Sequence, residues 1–189
     1  MKEKINLKNK VKILLYIYPI IMLFPSGYIT TYVTIFTIFS FYYFYKSKIK
    51  IRLFLIDYLL LLFFLISFLS TLINYKSDYI ILLKSLSDFR FALLFLAIRN
   101  LLIYKTVKVR ILFLITLFCT IFLSFDIFLQ HIFDRDIFGY KPSEGRYNGI
   151  FNDEAIAGSY LQKFFLISIL GILFLNISFK NKIFFLLFF

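Results

Sequence analysis

The sequence predicts an all-α protein, a polytopic bundle of transmembrane helices. Of its 189 residues, 61% are hydrophobic, and the chain contains 28 Phe. A water-soluble domain of this size does not bury so much apolar surface in one core. Several apolar runs reach the length of about 20 residues that a helix needs to cross a bilayer. The runs are continuous rather than alternating between apolar and polar residues, which is typical of buried or membrane helices.

The first apolar run covers residues 13–45 and contains no charge, but the helix-breaking sequence Pro25-Ser26-Gly27 interrupts it. As one helix it would be about 50 Å long, which is too long for one crossing and short for two. Two interpretations compete, a single tilted helix and a hairpin of two short helices. The basic segment 46–52 favours the hairpin, because two crossings return these bases to the side of the basic N-terminus.

Four further runs complete six predicted crossings, and a seventh begins near residue 183 and is cut off at Phe189. The four runs cover about 53–73, 80–103, 111–131 and 155–178. With a cytoplasmic N-terminus, the cytoplasmic segments hold 15 Lys and Arg and the outer loops hold four, which supports this orientation. The net charge of +12 is then explained by topology and indicates no nucleic-acid partner. We expect one transmembrane domain over residues 1–189, the N-terminal fragment of a larger protein, with an outer loop over 132–154.

Five ionisable residues fall inside predicted crossings and away from their cytoplasmic ends, where charge is costly and usually faces a cavity or another charge. They are Lys84, Asp88, Arg90, Asp126 and Lys163. All five lie in the outer half of the membrane or near its midplane, and Gln130 follows Asp126 by one turn. This placement predicts a polar cavity that opens to the outside. Asp57, near a cytoplasmic helix end, is expected to reach the interface beside Arg52.

Two interpretations of these charges stay open. Lys84 and Asp88 are four residues apart, so they can pair along one helix face. Asp126 and Lys163 can pair between two helices. In this interpretation four of the charges are structural. Arg90 is then left unpaired, and it is the better candidate for binding an anionic ligand.

The most polar stretch of the chain is GRYNGIFNDEAIAGSYL, residues 145–161. Asn152 or Asp153 is a natural N-cap for the following helix, and Glu154 is favourable in its first turn. Gly158 belongs to a stripe of small residues that allows another helix to approach closely. These features alone explain the stretch as a capped helix start with a packing face.

A second interpretation gives this stretch a ligand. Arg146 lies between Gly145 and Gly149, above the predicted cavity, and a guanidinium binds pyrophosphate through two parallel hydrogen bonds. His131 and Cys119 are the single histidine and the single cysteine of the chain. The sequence therefore predicts neither a metal site nor a disulfide within one chain.

Residues 124–161 carry the pattern D-x-x-x-Q, then G, then R-x-x-G-x-F-x-(D/N)-(E/P)-x-x-(A/L)-G-x-x-L, and here the chain resembles the O-antigen ligase and polymerase superfamily. The matching residues are Asp126, Gln130, Gly139, Arg146, Gly149, Phe151, Asp153, Glu154, Gly158 and Leu161. The N-terminal hairpin and the basic residue Arg90 in the fourth crossing are also similar. The resemblance covers about the N-terminal half of a typical member.

This resemblance implies a polytopic enzyme of the bacterial inner membrane, with the loop 132–154 in the periplasm. Such enzymes take a glycan from undecaprenyl pyrophosphate and transfer it, with inversion and without metal or cofactor, to lipid A–core or to a growing glycan. Arg146 matches the family arginine that holds the pyrophosphate. Arg90 and Lys163 join it as candidates from the cavity argument.

The family's catalytic histidine lies in a later periplasmic loop, and His131 is in the wrong place to match it. We therefore expect this chain to lack the catalytic residues. Two alternatives remain, a fragment of a polytopic transporter and a non-enzymatic membrane partner protein. The transporter alternative predicts an inverted repeat or a broken helix near the midplane.

Overall fold

The structure is a computed structural model that describes residues 2–24, 26–74, 79–143, 146–151 and 156–173. Within these residues it is all-helical, and its β pairing is limited to an isolated bridge between Ser143 and Arg146. The predicted all-α class is confirmed. The helices are α1 (Lys2–Ile21), α2 (Ser26–Ser47), α3 (Leu55–Ile73), α4 (Tyr79–Ser87), α5 (Phe89–Ile103), α6 (Val109–Phe133), a short 3₁₀ helix (Gly149–Phe151) and α7 (Ala157–Leu173).

Two helices of the described part, α3 and α6, are long enough and apolar enough to cross a membrane. They coincide with the predicted crossings 53–73 and 111–131. The described part of the apolar helix α7, Ala157–Leu173, has 17 residues. The number of crossings stays a prediction, and the one predicted from residue 183 lies outside the described residues.

The apolar run 13–45 is divided between two helices, as expected. α1 ends at Ile21, a turn follows, and α2 begins at Ser26. The hydroxyl of Tyr32 in α2 donates a hydrogen bond to the carbonyl of Leu14 in α1. This bond joins residues on either side of the turn, so the two helices lie side by side in opposite directions.

The predicted crossing 80–103 is not one continuous helix, because α4 and α5 meet at Asp88. The Ser87 hydroxyl donates to the carbonyl of Lys84 at 2.7 Å, and the Asp88 N–H reaches the same carbonyl at 3.1 Å. Ser and Asp side chains compete with helical backbone bonding in this way. The result is a local interruption, and both helices pack against α3.

The chain forms two compact units, each built from two separate stretches. The first unit contains Met1–Leu15 and Thr30–Val107, and the second contains Tyr16–Ile29 and Lys108–Phe189. The helix α1 contributes to both. This division separates the predicted site residues into two sets. The first unit contains Lys84, Asp88 and Arg90, and the second contains Asp126, Gln130, Arg146 and Lys163.

In the first unit, apolar side chains of α1 are buried at Leu7, Val11 and Leu15. Their four-residue spacing places them on one helix face. The helix α3 differs, because the residue it buries is Asp57, and its apolar side chains are largely exposed. The other buried apolar residues of this unit are Val33, Phe36, Tyr43, Phe44, Ala92, Leu94, Ala97, Leu101 and Val107.

In the second unit, α6 and α7 approach closely. A Cβ on Gly171 would lie 2.7 Å from the carbonyl oxygen of Phe113, so the backbones meet where α7 has no side chain. The buried hydroxyls of Thr120 and Ser168 are hydrogen-bonded at 2.8 Å across the same interface. The apolar core of this unit consists of Cys119, Leu123, Phe151, Ala157, Tyr160 and Phe164.

The same unit ties α7 to the end of α1. The N–H of Leu23, which would continue the helix by bonding to Pro19, donates instead to the carbonyl of Ile20 at 3.0 Å. The buried Tyr160 hydroxyl donates to the Pro19 carbonyl at 3.0 Å. A side chain of α7 therefore supplies the hydrogen bond that the end of α1 lacks.

Candidate functional site

The loop after α6 is held by two buried side chains one helical turn apart, Asp126 and Gln130. The Asp126 Oδ1 atom accepts the backbone N–H of Ile137 at 2.9 Å. The Gln130 amide accepts the N–H of Gly149 at 2.9 Å and donates to the carbonyl of Tyr140 at 3.3 Å. Both side chains are fully buried. The polar residues near the end of α6 thus position the backbone of the loop.

Gly149 meets Asp126 so closely that no larger residue fits. Its φ is +55°, a conformation that favours glycine, and a Cβ there would lie 2.6 Å from Oδ2 of Asp126. Asp126, Gln130 and Gly149 are therefore in direct contact, Gly149 with both buried side chains of α6.

The Gln130 amide bonds to the two residues that flank the segment 141–148, Tyr140 before it and Gly149 after it. Within it, the backbone N–H of Arg146 donates to the carbonyl of Ser143 at 2.8 Å, and the reverse bond is 3.1 Å. Tyr147 packs edge-on against His131, with 5.0 Å between ring centroids. Arg146 itself is exposed. An exposed guanidinium therefore lies on a loop whose described backbone is held by hydrogen bonds at Tyr140, Ser143 and Gly149.

The first unit contains three other predicted site residues. Arg90 is half-buried, donates to the Thr30 hydroxyl at 3.4 Å, and lies over the ring of Phe91 with 4.9 Å to the centroid. Lys84 is exposed, and Asp88 occupies the interruption between α4 and α5. Thr30 and Phe91 are partners of Arg90 that the sequence interpretation did not include.

Neither predicted ion pair forms among the described residues. Lys84 and Asp88 do not pair, although the Asp88 N–H bonds to the Lys84 carbonyl as in a helix. Asp126 and Lys163 do not pair either. The acid bonds to the loop backbone, and the base is exposed on α7.

The predicted cap residues Asn152, Asp153 and Glu154 lie outside the described residues. Gly158 is described, is exposed, and would meet nothing within 4 Å if it carried a Cβ. The glycine that allows close helix approach in this unit is Gly171.

An ion pair that the sequence analysis missed lies in the first unit. The sequence predicted that Asp57 reaches the membrane interface beside Arg52. In the structure Asp57 is instead 3% exposed and pairs with Arg99. The Arg99 guanidinium also lies 4.6 Å from the ring centroid of Phe54. The partners are 42 residues apart in sequence, so no local spacing indicated their contact.

The same end of α5 holds the segment before α3. Arg99 donates to the carbonyl of Arg52 at 2.5 Å, and the buried Asn100 accepts the Arg52 N–H at 2.9 Å. The Tyr104 hydroxyl donates to the carbonyl of Lys50 at 2.5 Å. The side chains of Arg99, Asn100 and Tyr104 are thus engaged in hydrogen bonds within the protein, which indicates a structural role.

No group of three or more His, Cys, Asp or Glu that could hold a metal ion occurs in the part of the chain that the structure describes. Comparison with protein-family models, with curated proteins and with solved structures gives no match to this chain.

Proposed function

We propose that this chain is the N-terminal part of a polytopic inner-membrane glycan ligase or polymerase, with its N-terminus in the cytoplasm. In this proposal the loop after α6 lies in the periplasm and binds the pyrophosphate of a glycan donor linked to undecaprenyl. The acceptor is lipid A–core or a growing glycan. Arg146 is the principal ligand of the pyrophosphate, and Arg90 and Lys163 are further candidates.

The exposure of α3 supports the membrane part of the proposal. Only 6% of its most apolar window is buried, compared with 33% for α6. An apolar helix with so little cover in water would expose a large hydrophobic surface, which water-soluble monomers rarely do. Lipid acyl chains satisfy such a surface, and a length of 19 residues suits one crossing.

The single observation that carries the donor site is the bonding between Gln130 and Gly149. The motif residues Asp126, Gln130 and Gly149 meet physically, and the loop that they hold carries Arg146 at its surface. A loop whose backbone is held at Tyr140 and Gly149 by Gln130 and that carries an exposed guanidinium suits an anionic ligand, since such anchoring reduces the freedom lost on binding.

The chemistry asked of Arg146 is charge stabilisation. In an inverting transfer, an acceptor hydroxyl attacks the anomeric carbon while the bond from that carbon to the pyrophosphate oxygen breaks. The pyrophosphate leaves with the bonding electrons and gains negative charge. A bidentate guanidinium holds that charge and orients the donor. The base that takes the acceptor's proton is not assigned to any residue of this chain.

A transporter fragment is the second candidate, and the interruption at Asp88 favours it. Transporters place broken helices at their substrate sites, where unwound carbonyls bind ions. Here the Asp88 N–H still bonds to the Lys84 carbonyl at 3.1 Å, so the backbone keeps this helical hydrogen bond and is not unwound at Asp88. We therefore rank this candidate below the glycan donor site. A non-enzymatic membrane partner has no observation in its favour.

Binding of undecaprenyl pyrophosphate to the purified full chain in neutral detergent tests the proposal. We expect Arg146→Ala to weaken binding at least tenfold, because charge-assisted hydrogen bonds contribute about 1.5 to 3 kcal/mol. Arg146→Lys should restore part of the affinity, since an ammonium keeps the charge but loses the bidentate geometry.

Arg135→Ala is the matched control, because this exposed base lies in the same loop but outside segment 141–148. Wild-type affinity in the Arg146→Ala variant would contradict the proposal. Asp88-dependent ion uptake into proteoliposomes, without donor binding, would favour the transporter instead.

A further inference from the structure

Two helices of the first unit, α2 and α5, end in the same backbone motif. In α2, the N–H of Ile49 bonds to the carbonyl of Phe44 at 2.9 Å, and that of Lys48 bonds to Tyr45 at 3.1 Å. In α5, the N–H of Thr106 bonds to Leu101 at 3.0 Å, and that of Lys105 bonds to Leu102 at 2.9 Å. This pair of bonds defines the Schellman motif.

The residue in the left-handed position of this motif is usually glycine, because a side chain there is strained. In both helices it is a lysine, with φ of +54° at Lys48 and +50° at Lys105. The helix C-terminus favours a nearby base, but a lysine one or two positions earlier gives the same benefit without the strain. Strained residues that persist point to a function for the side chain.

The ends of these helices are connected by hydrogen bonds. The Tyr104 hydroxyl donates to the Lys50 carbonyl at 2.5 Å, and the Arg52 guanidinium lies 5.6 Å from the centroid of the Tyr104 ring. The backbone of Arg52 is held in turn by Asn100. Four basic residues, Lys48, Lys50, Arg52 and Lys105, therefore lie on one connected surface, which we call the basic platform.

The positive charge of the basic platform is not cancelled. All four of its side chains are exposed. Asp57 is the single acidic residue of segments 46–57 and 99–107, and it is buried against Arg99. An exposed apolar helix, α3, begins at Leu55, directly after the platform segment. A surface with this charge beside a helix suited to acyl chains lies at the level of lipid headgroups.

We propose that the basic platform binds the headgroups of anionic phospholipids, such as phosphatidylglycerol, at the cytoplasmic face of the membrane. The platform gives charge complementarity to a negative surface, and basic residues next to a membrane helix each contribute about fivefold to such binding. The inference rests on the membrane placement proposed above, but not on the glycan donor site.

The test compares fluorescent phosphatidylglycerol and phosphatidylcholine with the same acyl chains, bound to the purified full chain in neutral detergent. We expect tighter binding of phosphatidylglycerol, with a preference that decreases at high ionic strength. The double variant Lys50→Gln/Lys105→Gln should reduce this preference about 25-fold. The charge-matched double variant Arg135→Gln/Lys141→Gln should retain it, because those exposed bases lie in the loop after α6. Equal losses in both variants, or no preference in the wild type, would overturn the proposal.

Lys105→Gly separates function from a structural role. Glycine relieves the strain of positive φ, so thermal stability should rise while the preference for phosphatidylglycerol falls. A loss of both, or a rise in stability with the preference intact, would show that the lysine has no role in lipid binding. Displacement of the lipid by inorganic phosphate, but not by chloride at equal ionic strength, would indicate a site for a free anion and would also overturn the proposal.

This proposal and the glycan donor site fail independently. Arg146→Ala should leave the lipid preference unchanged, and Lys50→Gln/Lys105→Gln should leave the binding of undecaprenyl pyrophosphate unchanged.

Discussion

The two units use different interactions to hold an irregular segment of backbone against a helix. In each, a helix holds a neighbouring segment of irregular backbone. In the first unit, the fastening depends on charge, since Arg99 pairs with the buried Asp57 and donates to the carbonyl of Arg52. In the second, buried Asp126 and Gln130 hold the loop through bonds to its backbone, without any basic partner.

The difference shows where charge remains available for binding. Arg99 is 17% exposed, and its guanidinium is engaged by a carboxylate, a carbonyl and an aromatic ring. Arg146 is exposed, and the interactions that hold its segment are made by the backbone. In the second unit the loop is held by bonds from Asp126 and Gln130 to its backbone, and among the described residues no ion pair involves Arg146, whereas Arg99 is engaged by the ion pair that holds its segment.

The sharpest test of this comparison is Asp57→Asn. It leaves the Arg99 guanidinium without its counter-charge in a mostly buried site, and we expect a loss of about 3 to 4 kcal/mol in the free energy of unfolding. Chemical denaturation of the purified chain in detergent measures it. Asp134→Asn, which alters an exposed acid, is the control. Wild-type stability in Asp57→Asn would mean that the first unit is not fastened by charge.

Gly149→Ala tests the second fastening and should cost about 2 to 3 kcal/mol. The substitution combines an unfavourable positive φ with a contact of 2.6 Å to Oδ2 of Asp126. Hydrogen exchange of the Ile137 amide reports whether the loop loosens, because that amide bonds to the same carboxyl. Gly139→Ala is the matched control, since it has φ of +87° but no atom within 4 Å of the added Cβ. Equal effects of the two variants would show that the Asp126 contact contributes nothing.

The smallest expected effect is that of Gly171→Ala, about 1 to 2 kcal/mol. The added Cβ meets the Phe113 carbonyl at 2.7 Å and displaces a backbone, although alanine regains part of the loss through its higher helix propensity. Gly158→Ala adds the same methyl group to the same helix in open space and should be neutral or slightly stabilising. Thermal unfolding of the two variants side by side measures the difference. If both behave alike, close approach of α6 and α7 does not limit stability.

The sequence predicted the bounds of a helix well where the helix coincides with a long apolar run. α3 and α6 match the predicted crossings 53–73 and 111–131 within two residues at each end, because long, predominantly apolar runs have no other stable backbone structure in an apolar environment. The interruption at Asp88 was missed because a hydropathy pattern does not register the competition of Ser87 with the helix backbone. That signal was present, since Ser and Asp in sequence are typical of helix starts.

Side-chain partners were less predictable than helices. The four-residue spacing of Asp126 and Gln130 was recognised as one helix face. The groups that they bind, at Ile137, Tyr140 and Gly149, are backbone atoms, and sequence does not show where a loop returns. The contact between Asp57 and Arg99 is set by the packing of α3 against α5, which no local pattern encodes.

The bond between Tyr160 and Pro19 has a consequence for biosynthesis. The Pro19 carbonyl is made early, but its hydrogen-bond donor is 141 residues further along the chain. Until the ribosome has added that tyrosine, this carbonyl must be satisfied by water or by a temporary neighbour, since an orphan carbonyl in an apolar environment is costly. The contact between the end of α1 and α7 therefore forms only after α7 has been synthesised.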